Sequence, residues 1–266
     1  MNRITQEQQN DIFKLMRECG ELIRAAHNVE ETDSAITVKP GAANFVTVYD
    51  VAVQQKLIAG LAKLYPNAYF FAEEKENSFE NTERGCCIFI DPIDGTTNFI
   101  HDMKCSAISV ALYFDGKPLF GAVYDPYLKE MFHAAAGEGA FVNGRRITVS
   151  NRTLEKSLVA FGTAPYNRSS GVDERFARFM RVFMACADIR RTGSAALDVC
   201  YVACGRTDAY FEDTLSPWDY AAGALILSEA GGKITSYENE AIRPGVKSSV
   251  LCSNNALHAE MLSLIN

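Results

Sequence analysis

Apolar residues recur every three or four positions in two segments near the start of the chain, which is typical of amphipathic helices. The first segment is predicted to begin after a capping box at Thr5 and to end near His27. The second covers residues 48–64, and Pro66 stops it. Its expected buried face consists of Val51, Leu57, Ile58, Leu61 and Leu64. The polar stretch between the two segments, residues 28–44, is predicted to be a mobile loop.

A strand pattern follows, in which short apolar runs are separated by turn residues. The predicted strands are residues 69–72, 88–90, 107–114, 119–124 and 130–135. Asp115-Gly116 and Asn143-Gly144 are predicted to form hairpin turns, because both dipeptides tolerate left-handed backbone angles. This half of the chain is therefore expected to be rich in antiparallel sheet.

Near residue 150 the pattern changes to alternating strands and helices. The predicted strands there are residues 158–161, 188–190, 208–212, 232–235 and 249–252. The predicted helices are residues 173–185, 194–203, 217–230 and 255–264. Such alternation is typical of a sheet covered by helices. We therefore predict a mixed α/β fold, with an α+β domain of residues 1–150 and an α/β domain of residues 151–266.

The composition is that of an ordinary soluble globular protein, with 48% apolar and 22% charged residues among 266. That length allows one large domain or two smaller ones. A net charge of −7 argues against a nucleic acid or an anionic membrane as partner, because each requires a basic face. A small phosphorylated substrate stays possible, since bound cations can reverse the local charge.

Neither a signal peptide nor a membrane-spanning run is expected. The first 30 residues alternate polar and apolar positions, and no apolar stretch approaches the ~20 residues that a membrane span requires. The eight cysteines are scattered without zinc-like spacing. They are therefore predicted to be free thiols in a reducing cytoplasm, with Cys200 and Cys204 packed in a core.

Residues 91–99 read Asp-Pro-Ile-Asp-Gly-Thr-Thr-Asn-Phe and follow the apolar run of residues 86–90. Asp91 and Asp94 are therefore expected where a buried strand ends. The three residues after Asp94 could open a helix whose first backbone N–H groups lack helical partners. Carboxylates attract hard cations and a helix N-terminus attracts anions, so the combination suits a metal-bound phosphate. The alternative interpretation is a simple turn with an N-capping residue.

Two other acidic sites could join this pair. Glu73-Glu74 directly follows the predicted strand of residues 69–72, although an acidic pair at a loop is usually just solvated. Asp219 lies in the first turn of a helix for which Ser216 suits the N-cap and Pro217 the first position, and it could simply complement the helix dipole. Together with Asp91 and Asp94, these residues would supply hard oxygen ligands that suit two or more Mg²⁺ ions.

The nonapeptide resembles, in order and spacing, a signature of the inositol monophosphatase family of Mg²⁺-dependent phosphatases. Glu73-Glu74 resembles the paired acidic motif of that family, and residues 218–223 resemble its second signature. Three further similar segments are residues 193–196, 208–212 and 229–232. The resemblance implies a five-layer α-β-α-β-α sandwich, a homodimer and inhibition by lithium.

The resemblance also implies roles for individual residues. The implied metal ligands are Glu73, Asp91, the backbone carbonyl of Ile93, Asp94 and Asp219, for two to three Mg²⁺ ions. The implied catalytic residues are Asp50, Glu73 and Thr96. The implied substrate-binding residues are Asp94, Gly95, Thr96, Gly193, Ser194, Ala195, Glu212 and Asp219. In this scheme Asp50 and Thr96 polarise the attacking water, and Glu212 contacts substrate hydroxyl groups.

The implied function is hydrolysis of an inositol monophosphate, or a similar polyol or sugar phosphate, by metal-activated water. One alternative is a different phosphomonoester, namely histidinol phosphate, fructose 1,6-bisphosphate or 3′-phosphoadenosine 5′-phosphate. Another is a regulatory binding protein whose phosphatase activity is secondary. Arg190 and Arg191 either reach a second anionic group on the substrate or form structural salt bridges.

Overall fold

The computed structural model describes residues 3–26, 36–39 and 45–266, which contain seven α-helices and fourteen strands. The helices are α1 (Gln6–Ala25), α2 (Val48–Leu64), α3 (Thr96–Ile100), α4 (Val172–Ala185), α5 (Ala195–Ala203), α6 (Pro217–Glu229) and α7 (His258–Ile265). The first strands are β1 (Ile36–Val38), β2 (Phe45–Thr47), β3 (Tyr69–Ala72), β4 (Cys86–Asp94), β5 (Ala107–Phe114), β6 (Lys117–Asp125) and β7 (Glu130–Ala135). The others are β8 (Gly139–Val142), β9 (Arg145–Ile147), β10 (Leu158–Phe161), β11 (Asp188–Arg190), β12 (Ala209–Leu215), β13 (Gly232–Thr235) and β14 (Ser248–Asn254).

The two N-terminal helices form as their periodicity predicts. The Thr5 hydroxyl accepts the N–H of Gln8 at 3.2 Å, so the predicted capping box is present at the start of α1. The predicted bounds of α2 are confirmed, but its predicted buried face is wrong at Val51, which is 40% exposed. Val53 occupies the core instead, because it lies one turn before Leu57 on the face that contacts the sheet.

The predicted loop of residues 28–44 is wrong at residues 36–38. These residues form β1, which pairs antiparallel with β2 and places Ile36 opposite Thr47. The pair leads directly into α2. His27, where the first helix was expected to end, and residues 28–35 and 40–44 of the predicted loop lie outside the described residues.

The larger sheet has seven strands in the order β3-β4-β5-β6-β7-β8-β9. All neighbours are antiparallel except β3 and β4, which are parallel. Both predicted hairpin turns are confirmed, and each of their four residues has a positive φ, between 47° at Asp115 and 78° at Gly144. The first half of the chain is therefore a largely antiparallel meander, as expected.

The smaller sheet has five strands in the order β11-β10-β12-β14-β13. The three strands β10, β11 and β12 are parallel, whereas β14 is antiparallel to both β12 and β13. Helices connect most of these strands, in agreement with the alternation predicted after residue 150.

The elements stack in five layers, as the resemblance implies. Helices α1 and α2 cover one face of the large sheet, α5 and α6 lie between the two sheets, and α4 and α7 cover the small sheet. Contact between α6 and the large sheet is close: a Cβ on Gly121 would lie 2.7 Å from the carbonyl oxygen of Ala222. The core around α5 and α6 takes residues from both halves of the chain, and the domain division at residue 150 stays a prediction.

The remaining predictions concern membrane-spanning helices and the cysteines. Among the described residues, no helix combines the length and apolar character needed to cross a membrane. All eight cysteines lie within the described residues and are free thiols. Cys200 is buried in the central core and Cys204 is half-buried against it, as predicted.

Candidate active site

Strand β4 carries two of the predicted site carboxylates at its end. The strand continues past Ile90 to Asp94, four residues beyond the predicted end, and its pairing with β5 shifts register between Asp91 and Asp94. Such an irregularity bends a strand and changes the direction of its side chains. The carboxylates of Asp91 and Asp94 thereby point to the same side, and both are buried.

Asp219 reaches the same place from the first turn of α6. Its Oδ2 accepts the N–H of Ser216 at 2.7 Å, a capping interaction at the start of the helix. One carboxylate oxygen from each of Asp91, Asp94 and Asp219 lies within 4.8 Å of the others. Three separated positions of the chain therefore converge, as the motifs imply.

These carboxylates are destabilised as anions in the absence of a cation. Burial raises the pKa of Asp94 to about 6, and burial together with repulsion from neighbouring carboxylates raises the pKa values of Asp91 and Asp219 well above the usual range. A divalent cation would remove this penalty. The cluster is therefore a candidate site for a hard metal ion.

Glu73 directly follows β3 and lines the same cavity as Asp91, although it is not one of the three carboxylates that lie within 4.8 Å of one another. The Lys39 ammonium lies 3.1 Å from Glu73 Oε1 and also pairs with Glu74. The side chain of Gln54 fixes the backbone of Glu74, since it accepts the Glu74 N–H at 2.8 Å and donates to its carbonyl at 2.9 Å. Neither acidic side chain is simply solvated, so that alternative interpretation is wrong.

Helix α3 begins directly after the carboxylates. Its N-cap is Gly95 at φ 91°, and the N–H groups of the first turn have no intrahelical partner. The Thr96 hydroxyl lies 3.2 Å from the carbonyl oxygen of Ile93 and 3.3 Å from Asp50 Oδ1. Gly95 and Thr96 therefore place backbone donors beside the acidic cluster.

Asp50 lies behind this turn in the first turn of α2. Its Oδ2 accepts the N–H of Thr47 at 2.7 Å. Burial raises the pKa of Asp50 to about 6, although hydrogen bonds from Thr47 oppose the shift. Asp50 contacts the site through the Thr96 hydroxyl. The structure thus brings the two residues together as the resemblance implies.

Helix α5 supports the opposite side of the acidic cluster. The Ser194 hydroxyl donates to Asp94 Oδ2 at 2.5 Å, and the Ala196 N–H donates to the same oxygen at 2.8 Å. The Ala195 N–H lies 3.3 Å from Asp94 Oδ1. The N-terminus of α5 therefore fixes the orientation of Asp94, a contact between segments 100 residues apart that sequence reasoning missed.

Glu212, on β12, faces the same space. Its Oε2 accepts the Tyr210 hydroxyl at 2.6 Å, and its Oε1 accepts the N–H of Ala164 at 2.9 Å. Burial raises the pKa of Glu212, and these two hydrogen bonds oppose the shift. The carboxyl group is held in one position, where it can accept hydrogen bonds from a bound molecule.

Every predicted site residue except Asp50 lines a single cavity of about 160 Å³. The predicted site residues that line it are Glu73, Asp91, Ile93, Asp94, Gly95, Thr96, Gly193, Ser194, Ala195, Glu212 and Asp219. Sequence reasoning missed Phe45, Thr97, Gly162, Pro165, Tyr166, Asp198, Tyr210 and Leu215 as lining residues. These come from segments without a recognisable motif of their own, apart from Thr97, Asp198 and Tyr210, which lie within or beside the matched motifs.

A model of the inositol monophosphatase family matches residues 6–266 of the chain. The chain belongs to the inositol monophosphatase family. Nus factor SuhB of Escherichia coli strain K12 is 39% identical over 229 residues, which are 86% of this chain and 84% of that protein. The extragenic suppressor protein suhB of Bartonella henselae, at 32% identity, has a TM-score of 0.89 and covers 98% of this chain and 99% of that one.

A third relative in the inositol monophosphatase family has been solved with a ligand. Inositol monophosphatase II of Staphylococcus aureus, at 29% identity, has a TM-score of 0.82 and covers 96% of this chain and 94% of that chain. Another structure of this enzyme, SaIMPase-II, has inositol monophosphate bound and a TM-score of 0.79.

Membership of the inositol monophosphatase family supports phosphatase chemistry as the activity class of this site. The family is Mg²⁺-dependent in general, and the donors present fit that ion, because they are carboxylate and carbonyl oxygens without sulfur. A bound cation would lower the raised pKa values of Asp91 and Asp219, because it favours the ionised carboxylates.

Proposed function

We propose that this protein is a Mg²⁺-dependent phosphomonoesterase that hydrolyses inositol monophosphate or a similar polyol phosphate. The observation that carries the proposal is the convergence of Asp91, Asp94 and Asp219 within 4.8 Å, beside the first turn of α3 and in one cavity with Glu212. Cation ligands, phosphate donors and a hydroxyl acceptor are thus adjacent. The inositol monophosphate bound to the staphylococcal relative supports the choice of substrate.

In this proposal the cation ligands are Glu73, Asp91, the carbonyl of Ile93, Asp94 and Asp219, for two to three Mg²⁺ ions. Bound Mg²⁺ supplies acidity to the attacking water and neutralises charge on the phosphoryl oxygens. Lithium inhibition is expected as for the family.

The protein's own groups position the reactants. The N–H groups of Gly95 and Thr96 donate to the phosphate. Thr96 orients the attacking water, and the Asp50 carboxylate accepts a proton through the Thr96 hydroxyl, 3.3 Å away. Glu212 and the backbone of residues 193–195 contact the hydroxyl groups of the polyol.

Phosphate release in the presence of Mg²⁺ tests this proposal. Inositol 1-phosphate is compared with histidinol phosphate, fructose 1,6-bisphosphate and 3′-phosphoadenosine 5′-phosphate. We expect inositol 1-phosphate to give the highest kcat/KM and Asp91→Asn to lower it at least about 10³-fold, the scale of lost metal catalysis. Asp115→Asn, an acid-to-amide change in an exposed turn, is the matched control and should retain activity.

Two outcomes would contradict the proposal. A different substrate that exceeds inositol 1-phosphate by more than tenfold in kcat/KM would replace it. Activity that survives both Asp91→Asn and removal of divalent cations would show that the acidic cluster is not the catalytic site.

A second candidate function is a regulatory protein–protein role, favoured by the relatives named Nus factor SuhB and by one exposed surface. Helix α4 exposes four apolar side chains on its outer face, namely Phe176, Met180, Phe183 and Met184. Exposed apolar patches of this kind often contact other proteins. A regulatory role predicts that a protein partner is retained by Asp91→Asn and lost with Met180→Glu, whereas a purely metabolic enzyme has no partner to lose.

We also propose a homodimer and a cytoplasmic location, as the resemblance implies. Light scattering on a sizing column should give twice the mass of one chain. A mass equal to one chain at micromolar concentration would contradict the homodimer.

A further inference from the structure

A second cavity lies between α1 and the far strands of the large sheet. Its volume is about 390 Å³, compared with about 160 Å³ for the active-site cavity, and the two share none of their described lining residues. Helix α1 packs on α2 and β6, and the cavity is left where the helix faces β7 and β8. Its lining includes Gln9, Phe13 and Arg17 of α1, together with His133 of β7 and Phe141 of β8.

The side of this cavity that the sheet forms is aromatic. The ring of His133 stacks on that of Phe141, with 5.4 Å between the centroids and 18° between the planes. His133 also contacts Phe13, and the centroids of these two rings are 4.7 Å apart. Burial lowers the pKa of His133 to about 4, so the imidazole is neutral near pH 7. The wall is therefore an uncharged ring surface on which a planar ligand can stack.

Gln9 places an amide group without a partner in the same cavity. The residue is 5% exposed, and its side chain makes no hydrogen bond with any residue of the ranges 3–26, 36–39 and 45–266. An amide side chain has two N–H donors and one carbonyl acceptor. Buried polar groups without partners are rare in folded proteins, because they give up hydrogen bonds to water. The Gln9 amide therefore indicates a ligand with a polar edge.

Arg17 supplies positive charge further along the cavity. Its side chain is exposed, and it forms no ion pair with another part of the chain that the structure describes. Glu21, one turn further along α1, pairs instead with Arg24 at 2.8 Å. The acidic lining residue Glu138 is already paired, since Arg3 Nε donates to its Oε1 at 2.6 Å. The guanidinium of Arg17 is thus available to an anion on a ligand.

The spacing of these groups on α1 indicates the shape of the ligand. Gln9, Phe13 and Arg17 follow one another at intervals of four residues, so they lie in one row along the helix. A rise of about 1.5 Å per residue places Gln9 and Arg17 about 12 Å apart along the axis, with Phe13 midway. An elongated ligand with a polar ring edge at one end and an anion at the other matches this order. A bicyclic ring with an anionic arm spans more of the row than a single ring does.

We propose that this cavity is a binding site for a bicyclic heteroaromatic carboxylate. The ring stacks on the aromatic wall, the Gln9 amide bonds to the polar edge of the ring, and the Arg17 guanidinium pairs with the carboxylate. The site is separate from the active site. The inference does not depend on the proposed phosphatase function.

Isothermal titration calorimetry of the full chain with indole-3-acetate in Mg²⁺ buffer tests the proposal. This probe has a ring N–H for Gln9 and a carboxylate for Arg17. We expect a Kd of about 0.1–1 mM, in keeping with a ligand of this size. Two matched probes each lack one group: naphthalene-1-acetate lacks the ring N–H, and indole-3-acetamide lacks the charge. Each should bind about three- to tenfold more weakly than indole-3-acetate, the scale of one hydrogen bond or charge pair.

Two substitutions connect each probe group to its residue. Arg17→Met should weaken indole-3-acetate about tenfold and leave indole-3-acetamide within about twofold, because only the first probe carries the charge. Gln9→Leu should weaken indole-3-acetate and leave naphthalene-1-acetate unchanged, because the second probe has no N–H to lose. Lys14→Met is the matched control: it removes an exposed cation of α1 that is not among the lining residues, and it should bind as wild type does.

Three results would overturn the inference. The first is no detectable binding of any of the three probes to wild-type protein at ~10 mM, well above the expected Kd. The second is an equal loss in Lys14→Met and Arg17→Met, which would reduce the effect to overall charge. The third is unchanged binding in Arg17→Met, which would place the probe elsewhere in the molecule. Arg17 is exposed, so its substitution leaves the core intact and the test stands even if Gln9→Leu does not fold.

Discussion

At the scale of single residues, the proposed phosphate donors depend on a backbone position that suits glycine. Gly95 has φ 91°, which L-residues with a side chain rarely adopt. A Cβ there would also lie 3.0 Å from the carbonyl oxygen of Gly193 and 3.1 Å from that of Cys105. Both neighbours are backbone atoms, so a side chain at residue 95 would displace the turn that starts α3.

Gly95→Ala should therefore lower kcat/KM at least about tenfold, because displaced N–H donors no longer meet the phosphoryl oxygens. Gly137→Ala is the matched control, since Gly137 has φ 79° and open space around its Cβ position. Both variants should lose about 1 kcal/mol of unfolding free energy from backbone strain. Phosphate release and urea unfolding measure the two effects. Equal activity in the two variants would contradict a role for this turn in phosphate binding.

Some single residues of the site could be predicted from the sequence, whereas their contacts could not. Asp91, Asp94 and Asp219 lie within recognisable local motifs, and the structure brings all three together. The contact between Ser194 and Asp94 could not be predicted by local reasoning, because it depends on how α5 packs beside β4. Arg190 and Arg191 show the limit most clearly. They share one sequence context, but Arg190 forms a salt bridge with Asp188, whereas Arg191 lines the active-site cavity.

At the scale of elements, periodicity predicts the long helices and the hairpin turns because each has a strong local signal. Periodicity fails where pairing with another strand determines whether a strand forms or where it ends. The three-residue strand β1 exists because β2 pairs with it, and β4 continues to Asp94 because the bulge lets pairing with β5 resume. Val51 is predicted to be buried but is exposed. Single apolar residues also occur on exposed helix faces, so periodicity alone does not distinguish an exposed valine from a buried one.

Helix α7 and the small sheet are joined by a buried histidine. His258, at the start of α7, has Nε2 2.9 Å from Thr235 Oγ1 and Nδ1 2.7 Å from Ser253 Oγ. Burial, with a smaller contribution from Lys233, lowers the pKa of His258 to about 4. The ring is therefore neutral in the folded protein at pH values where it would be protonated in the unfolded chain.

This difference predicts a pH-dependent contribution to stability. The unfolded ring binds a proton below about pH 6.5, so the stability that His258 contributes is present above that pH and is lost as the pH falls toward 4. Between pH 7 and pH 5 the advantage of wild-type protein over His258→Gln should shrink by about 2 kcal/mol. Urea unfolding at both pH values measures it. Parallel stability profiles for the two proteins would contradict the prediction.

At the scale of the whole molecule, α6 lies between the two sheets and positions one of the proposed metal ligands. It contributes Asp219 from its first turn, and it is fixed to the large sheet by neighbouring contacts. The Ser109 hydroxyl donates to the carbonyl of Trp218 at 3.0 Å, and the Tyr113 hydroxyl donates to that of Ala221 at 3.3 Å. The distance between Asp219 and the carboxylates of β4 thus depends on how closely α6 packs on the sheet.

Gly121→Ala tests this dependence. The added Cβ would lie 2.7 Å from the carbonyl oxygen of Ala222, a backbone atom that moves only with α6. We expect the free energy of unfolding to fall by about 1–3 kcal/mol, as for overpacked cores, and the Mg²⁺ concentration for half-maximal activity to rise. Urea unfolding and a Mg²⁺ titration of phosphate release measure both. An unchanged unfolding midpoint would show that the sheet and α6 can separate without cost.

We propose above that separated acidic residues hold divalent cations beside the α3 donors. Anomalous diffraction from crystals grown with Mn²⁺, an ion that takes the same oxygen ligands as Mg²⁺, tests it most directly. We expect anomalous peaks within about 2.2 Å of carboxylate oxygens of Asp91, Asp94 and Asp219, close to the usual metal–oxygen distance. Ordered Mn²⁺ elsewhere in the molecule, with no peak between these three residues, would contradict it.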